Sequence, residues 1–374
     1  MPAALAMQPY PVHGAFATAF TPQHEHAAAQ RTLGYLQAQL AADGAFTGNQ
    51  PSDDSSELFV IGAAAAGFDP NTLHNGSGAS VVQHLRGSAS TDCTTSVNTT
   101  GGCGRLVQAI IAAGDDPANF GGIDPLSLLE HHFDAATGAY GDGETFTQSL
   151  AIQAVVNATG AWPANALLLL ADNQDSDGGW NYKDSKDDPV GSDTNSTAMA
   201  LMALDAAGDH TFDAAALAWL RTQQDTDGGF PYQAGDGTDP DSTALVIQAI
   251  VATGDDATTA AWAKVGATAL NALVMEQTAN GGYTYPGNAA PDVLTSAQVP
   301  PGLERAAFPV PFRSRAFYAP GASLTGSASP PAAGSGTPSV PSTGGAADAV
   351  AWLLLGAGGL IIGCAGMMRV ARKR

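Results

Sequence analysis

The residues of this chain best placed to do chemistry lie in acidic loops. Asp184-Ser-Lys-Asp187-Asp188 and Asp239-Pro-Asp241-Ser are its densest carboxylate strings, and Asp193 and Asp236 lie close by. Carboxylates grouped in this way can bind a cation, attract a basic partner or supply an acid. The plainer reading of Asp184, Asp188, Asp239 and Asp241 is a solvated acidic rim. Asn173 to Asp184 has the outline of a calcium loop, with Asp175 third, Asp177 fifth, Gly178 sixth and Asp184 twelfth. The related stretch from Gln223 ends in Ala234 and loses the pattern, so a structural turn is favoured and calcium is the only cofactor suggested. Three aromatic pairs, Trp180/Tyr182, Phe230/Tyr232 and Tyr283/Tyr285, each follow Gly-Gly. Two roles suit them: stacking between neighbouring hairpins, or a platform for a lipid, terpenoid or sugar ring. Glu130-His131-His132 is no zinc-protease signature, His24 and His26 fall in an N-terminal tail, and no Ser/His/Asp order is recognisable.

The elements that must position these groups come from a repeat. Gln174-Asp-Ser-Asp-Gly-Gly-Trp180 recurs 50 residues later at Gln224 and 53 residues after that at Gln277. Weaker copies are Asp43-Gly44-Ala45-Phe46 and Thr137-Gly138-Ala139-Tyr140. After each copy comes a short polar residue and then an apolar run that ends in Gly67, Gly114, Gly160, Gly208 or Gly254. Counting eleven residues back from each glycine gives Ser56, Cys103, Ser149, Thr197 and Thr243, which are read as N-cap or first-turn residues, with the glycine as the left-handed cap. A last, truncated copy begins near Thr295. Ser242 to Gly254 is apolar nearly all round, whereas Ala214 to Gln224 is mixed. Buried and half-buried helices therefore alternate in two layers. Six such hairpins make either a closed α/α toroid or an open solenoid, and periodicity alone does not decide between them.

Trp219-Leu220 with Gln224, Gly228 and Phe230, and Gln174 with Gly178 and Trp180, resemble the Gln/Trp repeat of squalene and terpenoid cyclases. Protein prenyltransferase β-subunits, cobalamin carriers and complement-like thioester domains belong to the same wider group. The resemblance spans roughly residues 30 to 305 and implies the closed six-hairpin toroid. It does not bring the catalytic motifs with it. Neither acidic string matches the Asp-x-Asp-Asp segment of alkene-protonating cyclases, and Asp92-Cys93 lacks the register of prenyltransferase zinc ligands. A thioester needs Gln three residues after the cysteine, and Leu106 stands there in Gly102-Cys103-Gly104-Arg105-Leu106. The second domain with which cobalamin carriers close over their ligand has no counterpart after Leu303.

The 374 residues carry 35 acidic and 14 basic side chains, a formal net charge of −21, which excludes a nucleic-acid grip as the main task. Most of the basic charge in the tail is at the very end. Val350 to Met368 is an uncharged run of nineteen residues followed by Arg369, Arg372, Lys373 and Arg374. At about 1.5 Å per residue this run matches one bilayer core, with the basic tail cytoplasmic. Before it lies a Pro/Gly/Ser-rich stalk containing Val340-Pro341-Ser342-Thr343-Gly344. Motif, apolar helix and basic tail together resemble the sorting signal by which sortase joins Gram-positive surface proteins to the cell wall, with Val340 where that family has Leu. Met1 to Phe20 contains no signal-peptide pattern, so the expected export signal would lie upstream of Met1. Cys93 and Cys103 are read equally well as a disulfide or as two free thiols.

The sequence thus predicts an all-α protein: a tail over residues 1–28, a six-hairpin α/α toroid over 29–305, a disordered stalk over 306–345, and one transmembrane helix with a basic tail over 346–374. It would be an extracellular, membrane-anchored binding or adhesion module without recognisable catalytic residues. The competing expectation is an enzyme or carrier holding an isoprenoid, corrinoid or polysaccharide in the toroid. A carboxylate with a raised pKa inside the ring would favour the latter.

Overall fold

The structure, a computed structural model, describes residues 21–49, 52–94, 99–311 and 324. The sorting-like motif Val340–Gly344 and the apolar run Val350–Met368 lie outside the described residues, as does the segment before residue 21. Among the described residues, no helix is long and apolar enough to cross a membrane.

Among the described residues, twelve α-helices alternate between two layers. The inner layer consists of α2 (Asp53–Ala65), α4 (Thr99–Ala112), α6 (Thr145–Thr159), α8 (Thr194–Ala206), α10 (Pro240–Ala252) and α12 (Val293–Leu303). The outer layer consists of α1 (Pro22–Ala38), α3 (Val81–Thr94), α5 (Pro125–His131), α7 (Ala164–Asp172), α9 (Asp213–Gln223) and α11 (Ala269–Glu276). Each inner helix packs on the next in order, and α12 packs back on α2, so the six hairpins close into a ring. Residues Ala198 to Leu204 of α8 are entirely buried, as expected for a helix with protein on every side. A single two-residue antiparallel pair, β1 (Ala263–Lys264) with β2 (Ala267–Thr268), leads into α11.

Local chemistry sets the helix ends. Gly67, Gly114, Gly160, Gly208 and Gly254 all have φ between +70° and +80°, the left-handed conformation that ends a helix at low cost in glycine. The helix starts lie ahead of the counted residues. Asp193 caps α8 by accepting from Ser196 N at 2.7 Å, and Asp292 caps α12 by accepting from Thr295 N at 2.8 Å. Thr197, Thr243 and Ser296 are in the first turn. Their hydroxyls accept from the backbone N–H of Trp180, Phe230 and Tyr283, each at 2.9 Å, and so pin the aromatic loop to its own inner helix. Likewise α1 begins at Pro22, so His24 and His26 are helical and not in a tail.

The repeat glutamines join one hairpin to the next. Gln224 Nε2 donates to Gly228 O of its own loop at 2.8 Å and to Trp262 O of the following unit at 2.9 Å. Gln277 does the same across the closing seam: its Nε2 donates to Ala28 O and Thr32 Oγ1 at 2.8 Å, and its Oε1 accepts from Arg31 Nε at 2.8 Å. A hydrogen bond between His26 Nδ1 and Glu304 Oε1 (2.7 Å) and the ion pair of Arg305 with Glu25 add to the same seam. Cys93 and Cys103 form a disulfide that joins the end of α3 to α4, with Cα atoms 4.5 Å apart.

Candidate functional site

The N-termini of the inner helices carry most of the buried polar side chains, and around α8, α10 and α12 these include Asp193, Asp239, Asp241 and Asp292. Three loops are tied to this end of the ring by the first helical N–H of a neighbouring unit. Thr145 N donates to Tyr182 O (3.1 Å), Thr194 N to Tyr232 O (3.1 Å) and Val293 N to Asn49 O (2.9 Å). At the same position α10 has Pro240, which has no N–H to give to the Tyr285 loop.

Asp193 is completely buried, and burial pushes its pKa up to about 7 even though Ser196 and Tyr232 hydrogen bonds favour the carboxylate. Asp239 caps α10, accepting from Asp241 N at 3.0 Å and Ser242 Oγ at 2.8 Å, and burial raises it to about 6. Asp241, 1% exposed, has much less support: neither buried carboxyl oxygen has a well-formed hydrogen bond, and only the Thr295 hydroxyl lies near enough to favour its charged form. Burial first, then the neighbouring Asp239 and Asp292 carboxyls, push its pKa well above the usual range, opposed only by the Thr295 hydroxyl. Burial and these neighbours thus favour its protonated form. An unsatisfied buried polar group costs about 1–3 kcal/mol, so its place here calls for an explanation. Glu276, at the end of α11, is raised to about 8 by burial and by Asp227 and Asp239, and its Oε2 is also buried without a partner. Tyr285 sits among these groups. Its N–H lies 3.2 Å from Asp292 Oδ2, and burial together with Asp239, Asp241, Asp236 and Asp292 raises its hydroxyl pKa.

The candidate aromatics separate into two sets. Trp180, Phe230 and Tyr283 are fully buried between layers; the Trp180 indole donates to Leu170 O (2.8 Å) and the Tyr283 hydroxyl to Leu273 O (2.9 Å). They are packing residues. Tyr182, Tyr232 and Tyr285 are half-buried, and Tyr232 lies within electrostatic reach of the other two. The acidic candidates separate as well. Asp184 is exposed and Asp188 half-buried, whereas Asp239 and Asp241 are interior and form no solvated rim.

The calcium-like loop is filled by protein donors. Asp175 accepts from Asn181 Nδ2 (2.9 Å), Ser192 Oγ (2.8 Å) and the Asp187 N–H, and Asp177 accepts from Ser192 Oγ (2.8 Å) and Trp219 Nε1 (2.9 Å). Among the described residues, no group of three or more His, Cys, Asp or Glu is arranged to hold a metal ion. Elsewhere around the inner ring, Arg105 is buried between α2 and α4 and already paired with Asp54, with Glu57 Oε2 4.0 Å away. It offers no free charge for an anion.

Asp292, Glu276 and Thr295 join the site without having been candidate site residues, and Asp193, counted only among the acidic loop residues, proves to be a buried cap. A signal for two of them was in the sequence. Asp193, Asp239 and Asp292 each stand four residues before Thr197, Thr243 and Ser296, a repeated Asp-x-x-x-Ser/Thr that marks a buried cap.

No family model and no curated protein matches this sequence. Among solved structures it resembles the type II terpene cyclase MstE from Scytonema in its apo form, with a TM-score of 0.55 at 14% identity over 76% of this chain and 98% of that one. A variant of the same enzyme in complex with its substrate, geranylgeranyl dihydroxybenzoate, gives 0.55 at 13% identity over the same shares. A further variant with the product merosterolic acid A gives 0.53 at 15% identity, over 76% and 97%. At these identities the likeness is one of fold. The described chain has the α/α architecture of the terpene cyclases.

Proposed function

We propose that the protein is a ligand-binding toroid that accepts an isoprenoid-class molecule at the acidic mouth of α8, α10 and α12. The observation that carries this reading is Asp241, a carboxyl buried on an inner helix with no well-formed hydrogen bond to either oxygen. A ligand polar group would supply the missing partner, and the half-buried Tyr182, Tyr232 and Tyr285 would flank its body. The isoprenoid class is taken from MstE, whose toroid holds a geranylgeranyl substrate. Display at the cell surface through the Val340–Gly344 motif and the Val350–Met368 anchor belongs to the same proposal.

Catalysis by alkene protonation is the second reading, favoured by the burial that pushes the Asp241 pKa up. Against it, α4, α8, α10 and α12 contain no aromatic side chain, and a carbocation formed inside the ring would need π-faces to stabilise it. Native mass spectrometry of the full chain incubated with geranylgeranyl dihydroxybenzoate tests both readings. A one-to-one adduct of unchanged ligand that weakens in Asp241→Leu supports binding, and release of a cyclised isomer supports catalysis. Absence of any adduct overturns the proposal.

A further inference from the structure

The sign of the charge around Asp241 says more about the ligand than the fold does. The charged groups acting on Asp241 are Asp239 on its own helix and Asp292 at the start of α12. Those acting on Glu276 are Asp227 and Asp239, and those acting on Tyr285 are Asp236, Asp239, Asp241 and Asp292. Every one of them is a carboxyl. The N-terminal dipole of α10 opposes a cation here, but Asp239 already caps that end. Metal ions are disfavoured by the absence, among the described residues, of a group of ligands able to hold one. Anions are disfavoured by charge, and the buried Arg105 is already engaged by Asp54. An organic ammonium remains, which carboxylates can bind through charge-assisted hydrogen bonds and tyrosine rings through their faces.

We propose that Asp239, Asp241 and Asp292, beside the Tyr285 loop, receive the cationic head group of the ligand, a protonated amine on an apolar body. This inference rests on the binding function proposed above. The head group reaches Asp241 on the side of the Tyr285 loop, which Pro240 leaves without the backbone tie that Thr145 and Thr194 give to the Tyr182 and Tyr232 loops. The arriving ammonium favours the carboxylate form of Asp241, whose two buried oxygens pair with the N–H donors while any proton the carboxyl held passes to solvent. Asp239, Asp292, Thr295, Tyr285 and, next to Asp239, Glu276 are the polar groups around this exchange.

The test compares geranylgeranylamine with geranylgeraniol, two ligands of one hydrocarbon body, by calorimetry on the full chain at pH 7 in two buffers of different ionisation heat. The expected result is binding of the amine at least about tenfold tighter than the alcohol, with release approaching one proton per ligand. In Asp241→Asn the preference and the proton release disappear while the alcohol still binds, which also shows that the variant is folded. Tyr285→Leu, outside the helices, likewise reduces the preference. Equal binding of both ligands without proton release overturns the cationic head group and leaves the isoprenoid reading standing. Binding of neither ligand overturns both. A preference for the amine that persists unchanged in Asp241→Asn is general attraction to an acidic protein and also overturns the inference.

Discussion

Replacing Asp193 with Asn should change the pH dependence of stability in a direction opposite to that of most acidic residues. Asp193 is wholly buried, with a folded pKa of about 7 against an ordinary 3.8. Below pH 4 both folded and unfolded chains hold this proton, and its contribution to stability is fully present. As pH rises towards 7 the unfolded chain releases the proton and the folded chain keeps it, so stability falls across that window. A shift of about three pKa units corresponds to an upper bound of about 4 kcal/mol, and at about 2 °C per kcal/mol to roughly 8 °C in Tm. Asn retains the cap, since its Oδ1 still accepts from Ser196 N, but it does not titrate. Thermal unfolding of both proteins from pH 4 to pH 8 should show wild type equal or superior at pH 4 and the variant superior at pH 8. The comparison cancels the general self-repulsion of a chain with net charge −21, which also grows with pH. Parallel curves across the whole range would refute the reasoning, because they would mean that the Ser196 and Tyr232 hydrogen bonds outweigh burial and keep Asp193 ionised.

Other perturbations test the ring itself. Gly228→Ala puts a Cβ at φ +93° and 2.6 Å from Ala267 O, and should lower stability by about 2 kcal/mol or more in denaturant unfolding, whereas Gly237→Ala, in open space, should cost only its backbone strain. Gln277→Leu removes the hydrogen bonds to Ala28, Arg31 and Thr32 and leaves the carbonyl of Ala28 without that donor; hydrogen exchange should report faster opening of α1 and α11 than of α6 and α8. Reducing Cys93–Cys103 reopens a loop of ten residues and should cost about 2.5 kcal/mol by chain entropy, seen as a lower unfolding midpoint that Cys93→Ser/Cys103→Ser reproduces.

Much of the hairpin pattern was legible because its signals are local. Gly208 and Gly254 marked helix ends by the conformation that glycine tolerates, and the Gln174, Gln224 and Gln277 copies marked equivalent loops. The sequence does not decide whether Thr197 and Thr243 are caps or first-turn residues, because a hydroxyl suits both places; the structure puts them in the first turn. In the folded chain their hydroxyls instead hold the preceding aromatic loop. Asp239 and Asp241 could not be recognised as interior, because the surrounding Gly235-Asp-Gly-Thr-Asp-Pro string is polar. Their burial depends on α12 coming to rest against α10. Closure was legible only through the family resemblance, since Arg31 and Gln277 meet across 246 residues and no periodicity records such a contact.

An open stack of repeats needs specialised end units whose outer faces tolerate water. Here α1 buries Ala28, Ala29, Leu33 and Leu36, α12 buries Val293, Ala297 and Val299, and the two helices pack together across the seam. The first and last units are thus as much interior as any other, and the ring has no ends to protect. Such a body cannot be shortened or lengthened by one hairpin without being rebuilt, but it has no privileged starting point. Joining the seam covalently and reopening the chain at Gly160, between α6 and α7, should give a permuted protein with the same walls. During synthesis, the seam can form only after almost the whole ring has been made.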